Sequence, residues 1–387
     1  MNIVTGTTKD LRVMVKSPRR RLIVVRFILA IVSVLASLPW SARAADLPGR
    51  LSDAEFWQIV TDFSEAGGRF QLQYMSNEDS LQFVIPALKE KVGRDGVYIG
   101  VGTEQNFTYI AALHPKLAFV VDIRRDNMLE HLMYKALFEL STDRADFVSR
   151  LFSRRRPANL DATASVQILF GAFQQGASDS ALYEHTLNAV LQHLMNNHEF
   201  QLSEADTRTV AAILNTFRVA GPYVLKGTGD KNLSYAQLMA ATDLEGRSQS
   251  YLASEENFRT VQLLERQNPI VPLVGDFAGD KAIASVSRYL KEHNAVVNVF
   301  YVSNVERYLF EQGDHGKQFY ANVATLPLGP SSTFIRSVTV DIRRRLGIPL
   351  PDSTASWRSF LASIDDCLKD VTDGRIQTYR DLFEGGR

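Results

Sequence analysis

"GVYIGVGTEQNFTYIAALHPKLAFVVDI", residues 96–123, decides how this chain is read. A run of β-formers ends in Gly100 and Gly102, and Thr103 to Leu113 has the composition of a helix. "KLAFVVDI" is then a second apolar strand, ending at Asp122. Strand, glycine turn, helix and strand in so short a span make a βαβ unit, and such a crossover joins parallel strands. The expected fold is α/β, a Rossmann-like doubly wound sheet, mostly parallel. Ligands of such sheets lie beyond the carboxyl ends of the strands, where the strand order reverses.

Upstream, "LSDAEFWQIVTDFS" (51–64) reads as a helix with Ser52 as N-cap. In "SNEDSLQFVIPALKEKVG", Ser76 and Asp79 form a capping-box pattern, and Pro86 predicts a kink in the helix that follows. Downstream, "DNMLEHLMYKALFEL" carries its apolar residues on one helical face. The chain is then mostly helical to about residue 265, and only "PYVLKG" has the composition of a strand. "NPIVPLVGDFAG" gives a strand ending in Gly275-Asp276, followed by a helix, the strand "AVVNVFYVSN", a helix from "VERYLF" and the strand "STFIRSVTVDI". The expected domain therefore spans residues 46–345, with a helical insertion at about 127–265 that would cover a substrate. The tail, residues 346–387, is expected to be helical, "STASWRSFLASIDDCLKDV" forming a terminal amphipathic helix.

Of the 387 residues, 45% are hydrophobic and 22% charged, as in a globular protein with a substantial core. The first 45 residues read differently. A basic head (Lys16, Arg19, Arg20, Arg21) precedes an apolar stretch from Phe27 to Leu38 and the small-x-small sequence Ala42-Arg43-Ala44. This is the pattern of a bacterial export signal cleaved after about Ala44, and "RRRLI" admits the twin-arginine route. An inner-membrane anchor is the alternative, but the apolar run is shorter than the ~20 residues a span needs, and Arg26 interrupts it. No membrane span is expected once the leader is removed. The remainder has 35 Lys and Arg against 42 Asp and Glu, a formal charge of −7, which argues against nucleic acid as a partner. The single cysteine, Cys367, excludes an internal disulfide.

Gly100 and Gly102 end the first strand and open a helix whose free N–H groups favour polar or anionic ligands. Asp122 follows Gly102 by 20 residues, where a carboxylate can accept from the two hydroxyls of a ribose. The third glycine of a dinucleotide fingerprint is replaced by Gln105, so a tight turn with a strand-capping aspartate is the competing reading. Asp276 can orient a substrate amine, act as a base or cap a helix. Tyr301, Ser303 and Asn304 have the same dual reading, and for Asn304 capping leads.

His185, His193 and His198 are separated by eight and five residues, which turns them to different faces of a helix, so no metal site is expected. Neither H-E-x-x-H, C-x-x-C nor G-x-S-x-G occurs, and "QGDHGKQ" lacks the spacing of a phosphate loop. Arg150, Arg154, Arg155 and Arg156 read as a solvated helix end rather than a phosphate clamp.

The phrases "EQNFTYIA", "VGDFAG" and "FYVSNVE", within a match over most of residues 50–345, resemble an uncharacterised family of bacterial proteins. That family is similar in fold to the class I S-adenosylmethionine-dependent methyltransferases. The resemblance implies S-adenosylmethionine as cofactor, held by the loop of Gly100, Gly102, Glu104 and Asn106 and by Asp122 at the ribose. It also puts Asp276 at the end of strand four among the substrate-handling residues, with Tyr301 and Asn304. Two departures stand out. Tyr98 and Ile99 replace the acidic residue that precedes the loop, and the Asn/Asp-Pro-Pro-aromatic motif of amino-methylating enzymes is missing. The expected function is methyl transfer to a small molecule. The alternative is an exported, non-catalytic protein that keeps the fold and binds another ligand or partner.

Overall fold

Six strands form one sheet in the order β3-β2-β1-β4-β5-β6. They are β1 (Val97–Gly100), β2 (Leu117–Asp122), β3 (Ile270–Val274), β4 (Val297–Ser303), β5 (Leu328–Thr339) and β6 (Trp357–Ser363). The first five run parallel, and β6 pairs antiparallel with β5. The computed structural model describes residues 46–71, 73–158, 160–174, 176–223, 233–347 and 355–383. The leader lies outside the described residues, as does "PYVLKG" beyond Tyr223.

The parallel core follows from composition. Every residue of β1, β2 and β3 is buried, because helices cover both faces of the sheet. Helix α1 (Asp53–Phe63) starts at the Ser52 cap, completed by Glu55. Helix α2 (Ile85–Lys91) begins later than the Ser76–Asp79 pattern predicts, after one 3-10 turn at Leu81–Val84. Pro86 therefore sits in its first turn, where a fixed φ fits and no N–H is missed, and makes no kink. Asp79 instead accepts from the N–H groups of Ser356 and Trp357, at the entry to β6.

Helix α3 (Gln105–Leu113) follows β1 and α4 (Arg125–Leu140) follows β2. The insertion adds further helices, among them α5 (Ser180–Gln192), before β3. It packs on α3 and α4 through an aromatic cluster in which the Phe138 and Phe147 rings lie 4.6 Å apart and Phe107 meets Tyr251 edge to face. After β3 come α6 (Ala282–Glu292), β4, α7 (Val305–Phe310) and β5.

Two expectations are corrected here. Trp357–Ser363 is a strand, and helix α8 (Ile364–Thr372) starts only after the Ser363 cap. Seven residue pairs bind this strand to β5, so tertiary pairing overrides a helical pattern that is a weak prior by itself. The tail therefore completes the sheet. The strand ending at Gly275-Asp276 is β3, next to β2, and Ser303-Asn304 marks the end of strand four. Among the described residues, no helix is long and apolar enough to cross a membrane.

Below the end of β4, Arg336 of β5 makes a two-pronged ion pair with Glu306 of α7. Its Nε lies 2.6 Å from Oε2 and its Nη2 lies 2.9 Å from Oε1. Both side chains are buried.

Candidate functional site

The strand order reverses between β1 and β4, and a cleft of about 490 Å³ opens over their carboxyl ends. Gly102 and Thr103 line it after β1, Asp122 and Arg124 after β2, Asp276 after β3, and Ser303 and Asn304 after β4. Residues of the 69–78 segment and Trp357 complete the wall. The helical insertion contributes no lining residue, which corrects its expected role as a cover. Its apolar faces are spent on α3 and α4 instead.

Five of the residues singled out in the sequence as candidates thus reach one cleft: Gly102, Asp122, Asp276, Ser303 and Asn304. Gly100, Glu104, Asn106 and Tyr301 do not line it and are buried around it. Asn106 shows why. Its Nδ2 donates to the carbonyls of Val101, Gly102 and Thr103, at 3.0, 3.3 and 2.8 Å, and its Oδ1 accepts from the Tyr98 hydroxyl at 2.8 Å. The side chain staples the loop from within and, fully buried, is not presented to a ligand. A Cβ on Gly100 would stand 2.1 Å from Asn106 Oδ1, so this glycine makes room for the staple. Burial lowers His131 to about 4 and keeps the ring neutral; its Nε2 lies 2.9 Å from the Gly102 carbonyl, the tautomer that donates there.

With those carbonyls turned inward, trans peptide geometry turns the N–H groups of Gly102 and Thr103 the opposite way. Both residues line the cleft, as do Val101 and Gln105 beside them. Gly102 has φ +82°, the left-handed region. Gly102→Ala is expected to cost about 1–2 kcal/mol, read as a shift of the urea midpoint. An unchanged midpoint would remove the conformational reason for this glycine.

Glu104 is fully buried and accepts twice from the Ser76 N–H, at 3.0 and 3.1 Å. Burial raises its carboxyl to about 7, against the opposing pull of that N–H. It anchors the 69–78 segment to the start of α3 rather than facing a cofactor. Tyr301 is buried too, its hydroxyl 3.3 Å from Gln105 Nε2.

Asp122 faces the cleft already paired. Its Oδ1 accepts from the Arg124 N–H at 2.9 Å and from Nε at 3.2 Å, while Nη2 lies 3.4 Å from Oδ2. Arg124 also donates to the Gln73 carbonyl at 3.0 Å, tying the 69–78 segment down. Asp276 closes a turn through the Ala278 N–H at 2.9 Å and does not cap the next helix, which begins at Ala282. Asn304 holds the N-cap position of α7 without a side-chain capping bond.

Two residues were missed in the sequence, Arg124 and Glu78. The first stands two residues after a strand-end aspartate, a spacing at which a side chain folds back, and could have been noticed. Glu78 is buried in the cleft wall and accepts from the hydroxyls of Ser303 and Ser337. Burial raises its carboxyl, an effect that bonds from Ser303, Ser337 and Tyr301 offset in part. Ser303 sits at φ +52°, a conformation seldom used by non-glycine residues and common at functional strand ends. Its partner lies 225 residues away, so no local signal reports the pair.

The arginines of the basic run have protein partners: Arg150 pairs with Asp146, Arg155 with Asp179 and Arg156 with Asp143, and Arg154 donates to the Gly176 carbonyl. The histidines need a correction. His193 and His198 converge, because α5 runs into one π turn, His193–Asn197, in which the His198 N–H bonds the His193 carbonyl five residues back. A five-residue turn returns to the same side, where an α-helix would leave the two rings about 140° apart.

No curated protein matches the chain. The model of a family described as "Domain of unknown function (DUF7790)" matches residues 74–383, a span that holds all six strands and most of the cleft wall. The protein belongs to that family.

Proposed function

We propose that the chain is methyltransferase-like and takes a nucleoside-bearing small molecule, S-adenosylmethionine first, in the cleft over β1 and β4. One observation carries this reading: Gly102, Thr103 and Asp122 line the same cleft, at the point where the strand order reverses. The N–H groups would meet the polar part of the ligand and Asp122 its ribose hydroxyls, with Arg124 yielding one carboxylate oxygen. Asp276 and Asn304 would then orient the acceptor. Alignment of donor and acceptor can supply most of the rate in such a transfer.

Calorimetry of the folded protein with S-adenosylmethionine and S-adenosylhomocysteine tests this. The expected result is saturable binding that weakens at least about tenfold in Asp122→Ala, on the order of one charge-assisted hydrogen bond. Absence of binding at millimolar ligand, with the protein folded, sinks the proposal.

A second reading, an exported non-catalytic binder, is favoured by the Arg124–Asp122 pair, which neutralises the ribose-facing carboxylate. The leader supports it as well, since the methyl donor is made in the cytoplasm. Cell fractionation that finds the full-length chain in the cytoplasm removes that support.

A further inference from the structure

Away from the cleft, three side chains bring their donor atoms to one point. Glu139 Oε2 lies 2.7 Å from His193 Nε2 and 2.8 Å from His198 Nε2. The three ligand atoms all fall within 4.8 Å of one another. Glu139 comes from the end of α4, and the two histidines from the π turn that ends α5 and the residue after it.

Each group is oriented by a second contact. Lys135 Nζ holds the other oxygen of Glu139, Oε1, at 2.7 Å, which leaves Oε2 for the imidazoles. Glu265 lies 3.8 Å from the same ammonium. His198 Nδ1 meets Asp53 Oδ1 at 2.8 Å, and Asp53 is fixed by Asn268 Nδ2 at 2.8 Å. A carboxylate behind an imidazole is the outer-shell partner that metal-binding histidines have. The His198 ring also stacks on Phe200 at 5.0 Å, and His193 Nδ1 is 3.0 Å from the Asn197 side-chain amide. Rotation of that amide presents its oxygen to an Nδ1–H, as a ligating His193 requires.

We propose that Glu139, His193 and His198 form a binding site for a divalent transition metal ion, with zinc as the first candidate. Two imidazoles and one carboxylate are a ligand set that zinc accepts, with a fourth position open. Tetrahedral bonds of about 2.0–2.2 Å separate ligand atoms by about 3.3 Å, so the carboxylate has to withdraw by less than about 1 Å, and the imidazole nitrogens, within 4.8 Å of each other, have to settle at that spacing. Beside His198 lies a groove of about 400 Å³, lined also by Asp53, Trp57 and Asn197. Neither imidazole is sealed off: the side chains of His193 and His198 are 16% and 11% exposed. The π turn supplies what an α-helix cannot, two ligands five residues apart on one side. An ion here ties α4 to the end of α5.

The test uses the full chain without a histidine tag, stripped with a chelator and then titrated with zinc and with cobalt. The expected result is one equivalent of zinc by elemental analysis, a raised melting temperature, and the visible bands of a low-symmetry cobalt site. His193→Gln and His198→Gln should each abolish stoichiometric uptake. Asp53→Asn, which leaves all three ligands, should weaken binding by about 10–100-fold. Failure of the folded wild type to take up zinc at 100-fold molar excess overturns the proposal. So does uptake that His198→Gln leaves unchanged, since the ion is then held elsewhere. Should the histidine variants not fold, the graded loss in Asp53→Asn carries the test, and an unchanged affinity there counts against the site.

Discussion

Glu306→Ala is expected to lower the unfolding free energy by about 3–5 kcal/mol, the range found when one partner of a buried ion pair is removed. The Arg336 guanidinium is buried in the sheet and receives both oxygens of Glu306. It also donates to the Tyr320 hydroxyl at 3.0 Å and meets the Cys367 thiol at 3.3 Å. Burial by itself would lower the pKa of Arg336; the Glu306 charge outweighs it, so the cation persists at every accessible pH. Truncating Glu306 leaves that cation without its counter-ion. The double variant Glu306→Leu/Arg336→Met removes both charges and should recover most of the loss, because a well-packed apolar pair can match a buried ion pair. Urea unfolding of the two single variants and the double variant gives the coupling energy. A cost below about 1 kcal/mol for the first single variant would contradict the argument. Glu306 also belongs to the turn that presents Asn304, so ligand binding should weaken with it.

Glu104→Gln is expected to part from the wild type as the pH rises. Folded Glu104 holds its proton to about pH 7, whereas an ordinary carboxyl loses it near 4.5. Below about pH 4.5 the group is protonated in both states and its contribution is fully present. Between the two values the unfolded chain ionises and the folded chain does not, so wild-type stability falls with rising pH. At about 1.4 kcal/mol per pH unit the loss approaches about 3 kcal/mol near pH 7 and then levels off. Glutamine carries no charge, and its oxygen can still accept from the Ser76 N–H. The variant should therefore gain on the wild type by about that amount between pH 4.5 and 7. Urea midpoints across pH 4–8 check it, and parallel curves for the two proteins would refute it. His131, whose pKa burial lowers, acts in the opposite sense, with stability lost as the pH falls from 6.5 towards 4. That contribution is common to both proteins and cancels in the difference.

The local devices of the fold were legible. Residues 96–123 announce strand, glycine turn, helix and strand, and the structure puts β1 beside β2 in parallel. Ser52 caps the helix it was expected to cap. The site was legible at the strand ends, where Gly102, Asp122, Asp276 and Asn304 reach the cleft. It was not legible inside the loop. Glu104 and Asn106 are polar and follow the glycines, as ligand-binding residues do, yet both turn inward to hold the loop and its neighbours. Their direction depends on which carbonyls and N–H groups other segments bring near.

The sequence by itself determined the βαβ core, its polarity and the end of the sheet at which the cleft opens. These follow from patterns within a few residues: short unbroken apolar runs, a glycine that accepts positive φ, and a cap three residues ahead of its partner. Only the tertiary structure decided that Trp357–Ser363 is a strand, that Glu78 meets Ser303, and that His193 and His198 converge on Glu139. The last two depend on partners 54 to 225 residues apart, and the histidines on a single π turn as well, so packing, rather than local pattern, selects them.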